Sequence, residues 1–157
     1  MNPRTLNVGI VGLGLAGFGV APAIAAMPNA NLVAGADVNP RALQAFRERH
    51  GAKTYGAIEE LCDSPDVDTV WIATPNTLHC PHVILAAERG KHVIVEKPMA
   101  VTLADAERMI EATDRAGVQF LCGGSRSSSS VVRRMREIVR SGELGGLRAI
   151  TTWAATA

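Results

Sequence analysis

Leu6-Asn7-Val8-Gly9-Ile10-Val11-Gly12-Leu13-Gly14-Leu15-Ala16-Gly17 is the stretch that decides the fold. A short strand, Leu6 to Val11, runs straight into three glycines in G-x-G-x-x-G spacing, and a helix opens at Leu15. Gly12 permits the tight turn out of the strand. Gly14 lets the backbone approach a pyrophosphate, and Gly17 lets the helix pack closely on the strand. The helix N-terminus presents free N–H groups and the positive end of its dipole to phosphates. With the intervening Leu13, Leu15 and Ala16, these glycines form the phosphate-side candidates. A glycine-rich turn without a ligand is common. Its place between an apolar strand and a helix is what a dinucleotide site requires.

Outward from this stretch the chain alternates. The first helix is expected over Leu15 to Met27, stopped by Pro28-Asn29, with Pro22 a candidate kink or early break. Asn31 to Ala36 reads as a second strand. Asn39 then caps a helix with Pro40 at its first position, ending at Gly51. Ala52 to Tyr55 and Thr69 to Ala73 read as strands, with a short helix over Ile58 to Asp63 between them. A helix over Leu78 to Arg89, a strand over Lys91 to Val95, a helix from Thr102 to Gly117 and a strand over Val118 to Cys122 complete the pattern. Thr102 and Asp105 make a near-capping box. Such alternation predicts an α/β fold, a doubly wound parallel sheet of six strands with right-handed crossovers. After Cys122 the character changes to Gly123-Gly124-Ser125-Arg126 and four serines, a loop. A helix over about Val131 to Ser141 follows, with Val132, Met135, Ile138 and Val139 on one face, and then a weak strand over Leu147 to Trp153. The expected division is a dinucleotide-binding domain over 1–122 and a connecting segment over 123–157.

Composition limits the function classes. At 157 residues and 47% apolar content the chain has a real core, and with 4% aromatic residues small aliphatic side chains must fill it. The net charge of +1 creates no field for nucleic acid or an anionic membrane. Cys62, Cys80 and Cys122 are odd in number and widely spaced, which suits reduced thiols in a cytoplasmic protein. No apolar run approaches the ~18–20 residues of a membrane span.

Asp37 comes twenty residues after Gly17, at the end of the second strand. A carboxylate there, followed by Val38, bonds the ribose 2′-OH of NAD and repels a 2′-phosphate, while Arg41 close by keeps NADP open. The bland alternative is a loop aspartate beside a helix cap. Ala73-Thr74-Pro75-Asn76 ends the fourth strand on the same sheet edge and would lie along the cofactor toward the nicotinamide. Asn76 or Thr77 could equally cap the next helix. His79-Cys80-Pro81-His82 suggests a metal, but no further Cys/His cluster completes four ligands, so His79 reads as a residue of a first helical turn. Glu96-Lys97-Pro98 closes the fifth strand. In open α/β sheets ligands bind at the carboxyl ends of strands. Lys97 there can take or orient a hydroxyl proton during hydride transfer. Cationic nicotinamide disfavours its charge and Glu96 favours it. The arginines of the last helix, without interleaved aromatics, read as a solvated face.

Three segments together resemble the Gfo/Idh/MocA family, relatives of glucose–fructose oxidoreductase and inositol dehydrogenase. They are Gly9-Ile10-Val11-Gly12-Leu13-Gly14, Ala73-Thr74-Pro75-Asn76-Thr77-Leu78-His79 and Gly90-Lys91-His92-Val93-Ile94-Val95-Glu96-Lys97-Pro98. Arg133 to Glu137 and Ser141 to Gly145 are similar to the dihydroxyphthalate or phthalate-dihydrodiol dehydrogenase branch. The resemblance implies a Rossmann domain binding NAD or NADP, of which the acid at Asp37 favours NAD, and a second, substrate-binding and oligomerising domain. It places the glycines, Asp37, Thr74, Asn76, His79, Glu96 and Lys97 at cofactor-binding or catalytic positions, and Pro98 after a cis bond.

Two departures stand out. The chain ends where relatives begin the second domain, and the usual His or Asp partner of the lysine lies beyond it. Gly124 and Ser127 to Ser130 replace bulkier residues. The expectation is a truncated or engineered cofactor domain of an enzyme acting on a sugar, cyclitol or dihydrodiol. Such a domain would bind cofactor with little turnover and associate as a dimer or higher assembly through its C-terminal region. A non-catalytic dinucleotide-binding module and a CoA- or S-adenosylmethionine-binding Rossmann-like domain are the rivals. The last leaves Glu96-Lys97-Pro98 unexplained.

Overall fold

The computed structural model describes residues 5–123, 129–149 and 151. Strand β1 (Leu6–Val11) leads into α1 (Leu15–Ala25), then β2 (Ala30–Ala36), α2 (Pro40–His50), β3 (Lys53–Tyr55), α3 (Ile58–Asp63) and β4 (Thr69–Ile72). After a 3-10 turn over Asn76–Leu78 come α4 (His79–Glu88), β5 (His92–Val95), α5 (Leu103–Ala116), β6 (Phe120–Cys122) and α6 (Ser130–Ser141). The six strands pair in the order β3-β2-β1-β4-β5-β6, and every pairing is parallel. The winding direction reverses at β1, where the crevice at the strand ends opens. The chain divides after Gly123 into two compact units, the second holding α6.

Alternation along β1 explains the two layers. Val8 and Ile10 face one side with Ala21 and Ile24 of α1 and Phe46 of α2. Val11 faces the other with Leu61, Val83 and Met109 of α3, α4 and α5. A strand buried on both faces needs apolar residues throughout, and small ones where helices crowd in. The helix ends are written locally. Asn39 Oδ1 accepts from the Arg41 N–H at 3.0 Å, and Thr102 Oγ1 accepts from the Asp105 N–H at 3.1 Å while donating to the Asp105 carboxylate. Gly51 and Gly117 end α2 and α5 in the left-handed conformation.

Four expectations need correction. Helix α1 runs through Pro22 without breaking, because only one intrahelical donor is lost there, and it ends at Ala25 rather than Met27. Neither Asn76 nor Thr77 caps α4. The chain tightens into the 3-10 turn instead, with Leu78 at the N-cap and no side-chain bond. Strand β6 is shorter than Val118 to Cys122. Residues 147–149 and 151 carry no strand, and the rest of that expected strand, like most of the serine-rich loop, lies outside the described residues. No helix among the described residues is long and apolar enough to cross a membrane.

Two glycines of α1 make a paired test. A Cβ on Gly17 would stand 2.0 Å from the Gly12 carbonyl oxygen, whereas one on Gly19 would meet nothing within 4 Å. Gly19→Ala should stabilise the fold by about 0.8 kcal/mol through helix propensity. At Gly17 the same gain is outweighed, and Gly17→Ala should cost about 3 kcal/mol because backbone must move. Urea unfolding of both variants checks the opposite signs.

Candidate functional site

The site starts from the knot that holds the glycine turn. Gly12 donates its N–H to the Ala36 carbonyl of β2 at 2.9 Å, and Ala73 donates to the Val11 carbonyl at 2.8 Å. Gly12 sits at φ 89°, and a Cβ there would come within 2.6 Å of the Ala73 oxygen. Gly12 and Gly17 are therefore glycines for internal reasons, turn and close packing. Gly14 is different. It is the N-cap of α1 at φ −80°, accessible to any residue, and a Cβ on it would touch no protein atom within 4 Å. No side chain caps this helix, whose first backbone bond runs from the Phe18 N–H to the Gly14 carbonyl. The N–H groups of Leu15, Ala16 and Gly17 come before that first bond, as unpaired donors at a positive dipole end. A bare glycine in front of open donors fits a phosphate-bearing group.

The intervening residues divide. Leu15 is 96% exposed at the helix start, while Leu13 is buried in the α1 and α2 layer. The Leu13 N–H is occupied as well, donating to Asp37 Oδ2 at 2.7 Å. Leu13 thus builds the turn. The other Asp37 oxygen accepts the Asn39 N–H at 2.8 Å. One carboxylate therefore ties the glycine turn to the start of α2. Each of its oxygens keeps acceptor capacity for a hydroxyl. Val38 is exposed beside it, and Arg41 is exposed at the second position of α2.

A cavity of about 700 Å³ opens over this edge, lined by Gly12, Gly14, Asp37 and Val38 on one side and by Ala73, Thr74, Pro75 and His82 on another. Residues 56–59 line it as well. Its size suits a nucleoside-sized ligand. Glu59 and His82 are lining groups that sequence reading missed. Only the topology, which brings the N-terminal ends of α3 and α4 to one mouth, identifies them. His82 Nδ1 lies 3.1 Å from Thr74 Oγ1. Burial lowers the pKa of this imidazole, with Glu59 opposing and His79 adding to the effect.

The second group of site residues stands at the end of β5. Glu96 N–H bonds the Ile72 carbonyl, keeping the segment on the sheet edge, and Glu96 Oε2 accepts the Lys97 N–H at 3.2 Å. Lys97 is exposed, its bond to Pro98 is cis, and its amine has no ion-pair partner among the described residues. Asn76 is exposed on the 3-10 turn. Neither Lys97 nor Asn76 lines the cavity. His79 is 1% exposed and turned away from solvent, its two ring nitrogens facing the carbonyls of Pro98 and Thr74. It bridges two backbone segments of the edge. Cys62, Cys80 and Cys122 are free thiols. Burial pushes the Cys62 thiol up to about 11.

With this geometry in view, the comparisons are specific. Residues 6–123 match the Gfo/Idh/MocA oxidoreductase family, NAD-binding Rossmann fold. The chain belongs to that family. It is 40% identical over 146 residues to 1-carboxy-3-chloro-3,4-dihydroxycyclo hexa-1,5-diene dehydrogenase of Comamonas testosteroni, covering 92% of this chain and 37% of the relative. It is 34% identical to myo-inositol 2-dehydrogenase of Thermotoga maritima, covering 89% of this chain and 42% of that enzyme. Among solved structures it resembles scyllo-inositol dehydrogenase of Lactobacillus casei with bound NAD(H) and scyllo-inositol, at a TM-score of 0.85 and 28% identity over 90% of this chain and 43% of that one. The WlbA dehydrogenase of Bordetella pertussis, in complex with NADH and UDP-GlcNAcA, matches at a TM-score of 0.85 and 32% identity, over 92% and 42%. The chain thus spans less than half the length of these relatives.

Two predictions follow from the geometry of this family member. Gly14→Ala should change stability by under about 1 kcal/mol and weaken dinucleotide binding at least about tenfold, read by urea unfolding and calorimetric titration. His82 and His50 both have lowered pKa values, chiefly from burial. The unfolded rings protonate near about pH 6.5 while the folded ones resist, so stability is undiminished above that value and falls as pH drops below it. His82→Gln should make that fall shallower in unfolding midpoints measured from about pH 7.5 down to 5.

Proposed function

We propose that this chain is the NAD-binding part of a dehydrogenase that moves hydride between the nicotinamide and a hydroxyl- or diol-bearing substrate. Gly14 is the observation that carries the reading. It is a glycine with no internal reason, set before the unpaired donors of α1. The N–H groups of Leu15 and Ala16 hold the pyrophosphate, and Asp37 accepts the adenosine ribose hydroxyls while Val38 lines the base side. Thr74, Pro75 and Asn76 extend along the strand edge toward the nicotinamide. NAD, when bound, supplies the hydride acceptor. Lys97 stands at the end of β5, where it takes or orients the substrate hydroxyl proton, and Glu96 fixes its backbone. Hydroxyl-rich molecules that the relatives are named for or hold, a dihydrodiol, inositols and a sugar nucleotide, support this substrate class. The substrate-facing wall is assigned to the portion of the relatives outside the matched region.

NAD is favoured over NADP because the Asp37 carboxylate would lie against a 2′-phosphate, and like charges in a partly buried site repel. Parallel titrations with NADH and NADPH, read by reduced-nicotinamide fluorescence, should show NADH binding at least about tenfold tighter. Asp37→Asn retains a carbonyl acceptor for the Leu13 N–H and removes the charge. It should weaken NADH by about tenfold and narrow the gap to NADPH. Equal binding of the two cofactors by the unaltered chain would contradict the Asp37 role, and binding of neither would contradict the function.

A further inference from the structure

The ring of His79 connects the two groups of site residues. It is 1% exposed and occupies the first position of α4. Nδ1 lies 2.9 Å from the Pro98 carbonyl oxygen and Nε2 3.0 Å from the Thr74 carbonyl oxygen. Both partners are acceptors with no hydrogen to give. A neutral imidazole carries one N–H and serves only one of them, so serving both takes an N–H on each nitrogen. Neither carbonyl accepts another backbone bond among the described residues. Burial and the N-terminal position on α4 count against a charged ring. The alternative sets a nitrogen lone pair against a carbonyl oxygen where water cannot intervene, leaving a buried acceptor unpaired on each side. Donation from both ring nitrogens would satisfy both carbonyls. Titratable groups at the start of the elements meeting here include Cys80 and His82 on α4, Glu96 and Lys97 before Pro98, and Asp105 and Arg108 on α5.

We propose that His79 is a positioning residue that donates from both ring nitrogens and ties the turn carrying Lys97 to the end of β4. Thr74 is the hub of this link. Its carbonyl holds His79, its hydroxyl meets His82, and it lines the cavity. The placement of Lys97 relative to the cavity is then set by a buried ring that touches neither cofactor nor substrate. The consequence for chemistry rests on the role given to Lys97 above, whereas the clamp itself does not.

The test uses the whole chain without cofactor, labelled with nitrogen-15 histidine, and reads both His79 ring nitrogens by long-range proton–nitrogen correlation at neutral pH. Both should give signals of the protonated type. One nitrogen of the unprotonated type overturns the two-sided clamp. In a second arm, His79→Phe keeps a ring and removes both donors, and should shift or broaden the backbone amides of Lys97 and Met99. His79→Gln, whose amide carries two N–H bonds, should return them toward their original positions. Lys97 and Met99 amides unmoved in the Phe variant, or no recovery with Gln, would overturn the positioning role. If the Phe variant fails to fold, the ring signals of the unaltered chain decide. Failure to bind NADH would remove the proposed function and leave these signals untouched.

Discussion

The Gly12 carbonyl oxygen lies where any side chain on Gly17 would have to stand. The rest of the site depends on that contact. It brings the first turn of α1 against the end of β1, so the open N–H groups of the helix face the carboxyl edge of the sheet. With α1 set there, Leu13 is driven into the core and its N–H turns to Asp37. The same carboxylate holds the start of α2. Two crossovers are thus registered to one turn by one close backbone approach and one acidic side chain. The open donors and the remaining lone pairs of Asp37 are what is left over for a ligand.

The strand edge then divides the labour. The β1, β2 and β4 ends enclose a cavity over Gly14, Asp37 and Thr74, while the β5 end presents Glu96 and Lys97 outside it. A dinucleotide is long enough to need both regions, and the parallel register of β4 with β5 keeps them on one edge. The family match covers the same residues that build the edge, 6–123. The relatives carry more than twice the matched length, consistent with a substrate side contributed from elsewhere in those proteins.

Local features were legible in the sequence. Asn39-Pro40, Thr102 with Asp105, Gly51 and Gly117 state their caps within four residues, and the structure realises each one. The G-x-G-x-x-G turn, the acid at position 37 and the Glu96-Lys97-Pro98 terminus fall where the alternation puts them. What the sequence hid depends on contacts between distant elements. Nothing local says that Leu13 is core while Leu15 is exposed. Glu59 and His82 share a cavity only because α3 and α4 start at the same mouth. His79 matched a site position in the sequence, yet its partners, Thr74 and Pro98, make it a strut.

The central claim is that the edge built on Gly12, Gly14 and Asp37 is a dinucleotide site. The most direct measurement is the backbone amide spectrum of the nitrogen-15-labelled chain during titration with NAD. The account predicts that Leu15, Ala16, Val38 and residues 57–59 shift together with one saturation curve, while the amides of Ala112 to Ala116, at the far end of α5, stay in place. Saturable shifts confined to other surfaces, or no shifts at all, would contradict it.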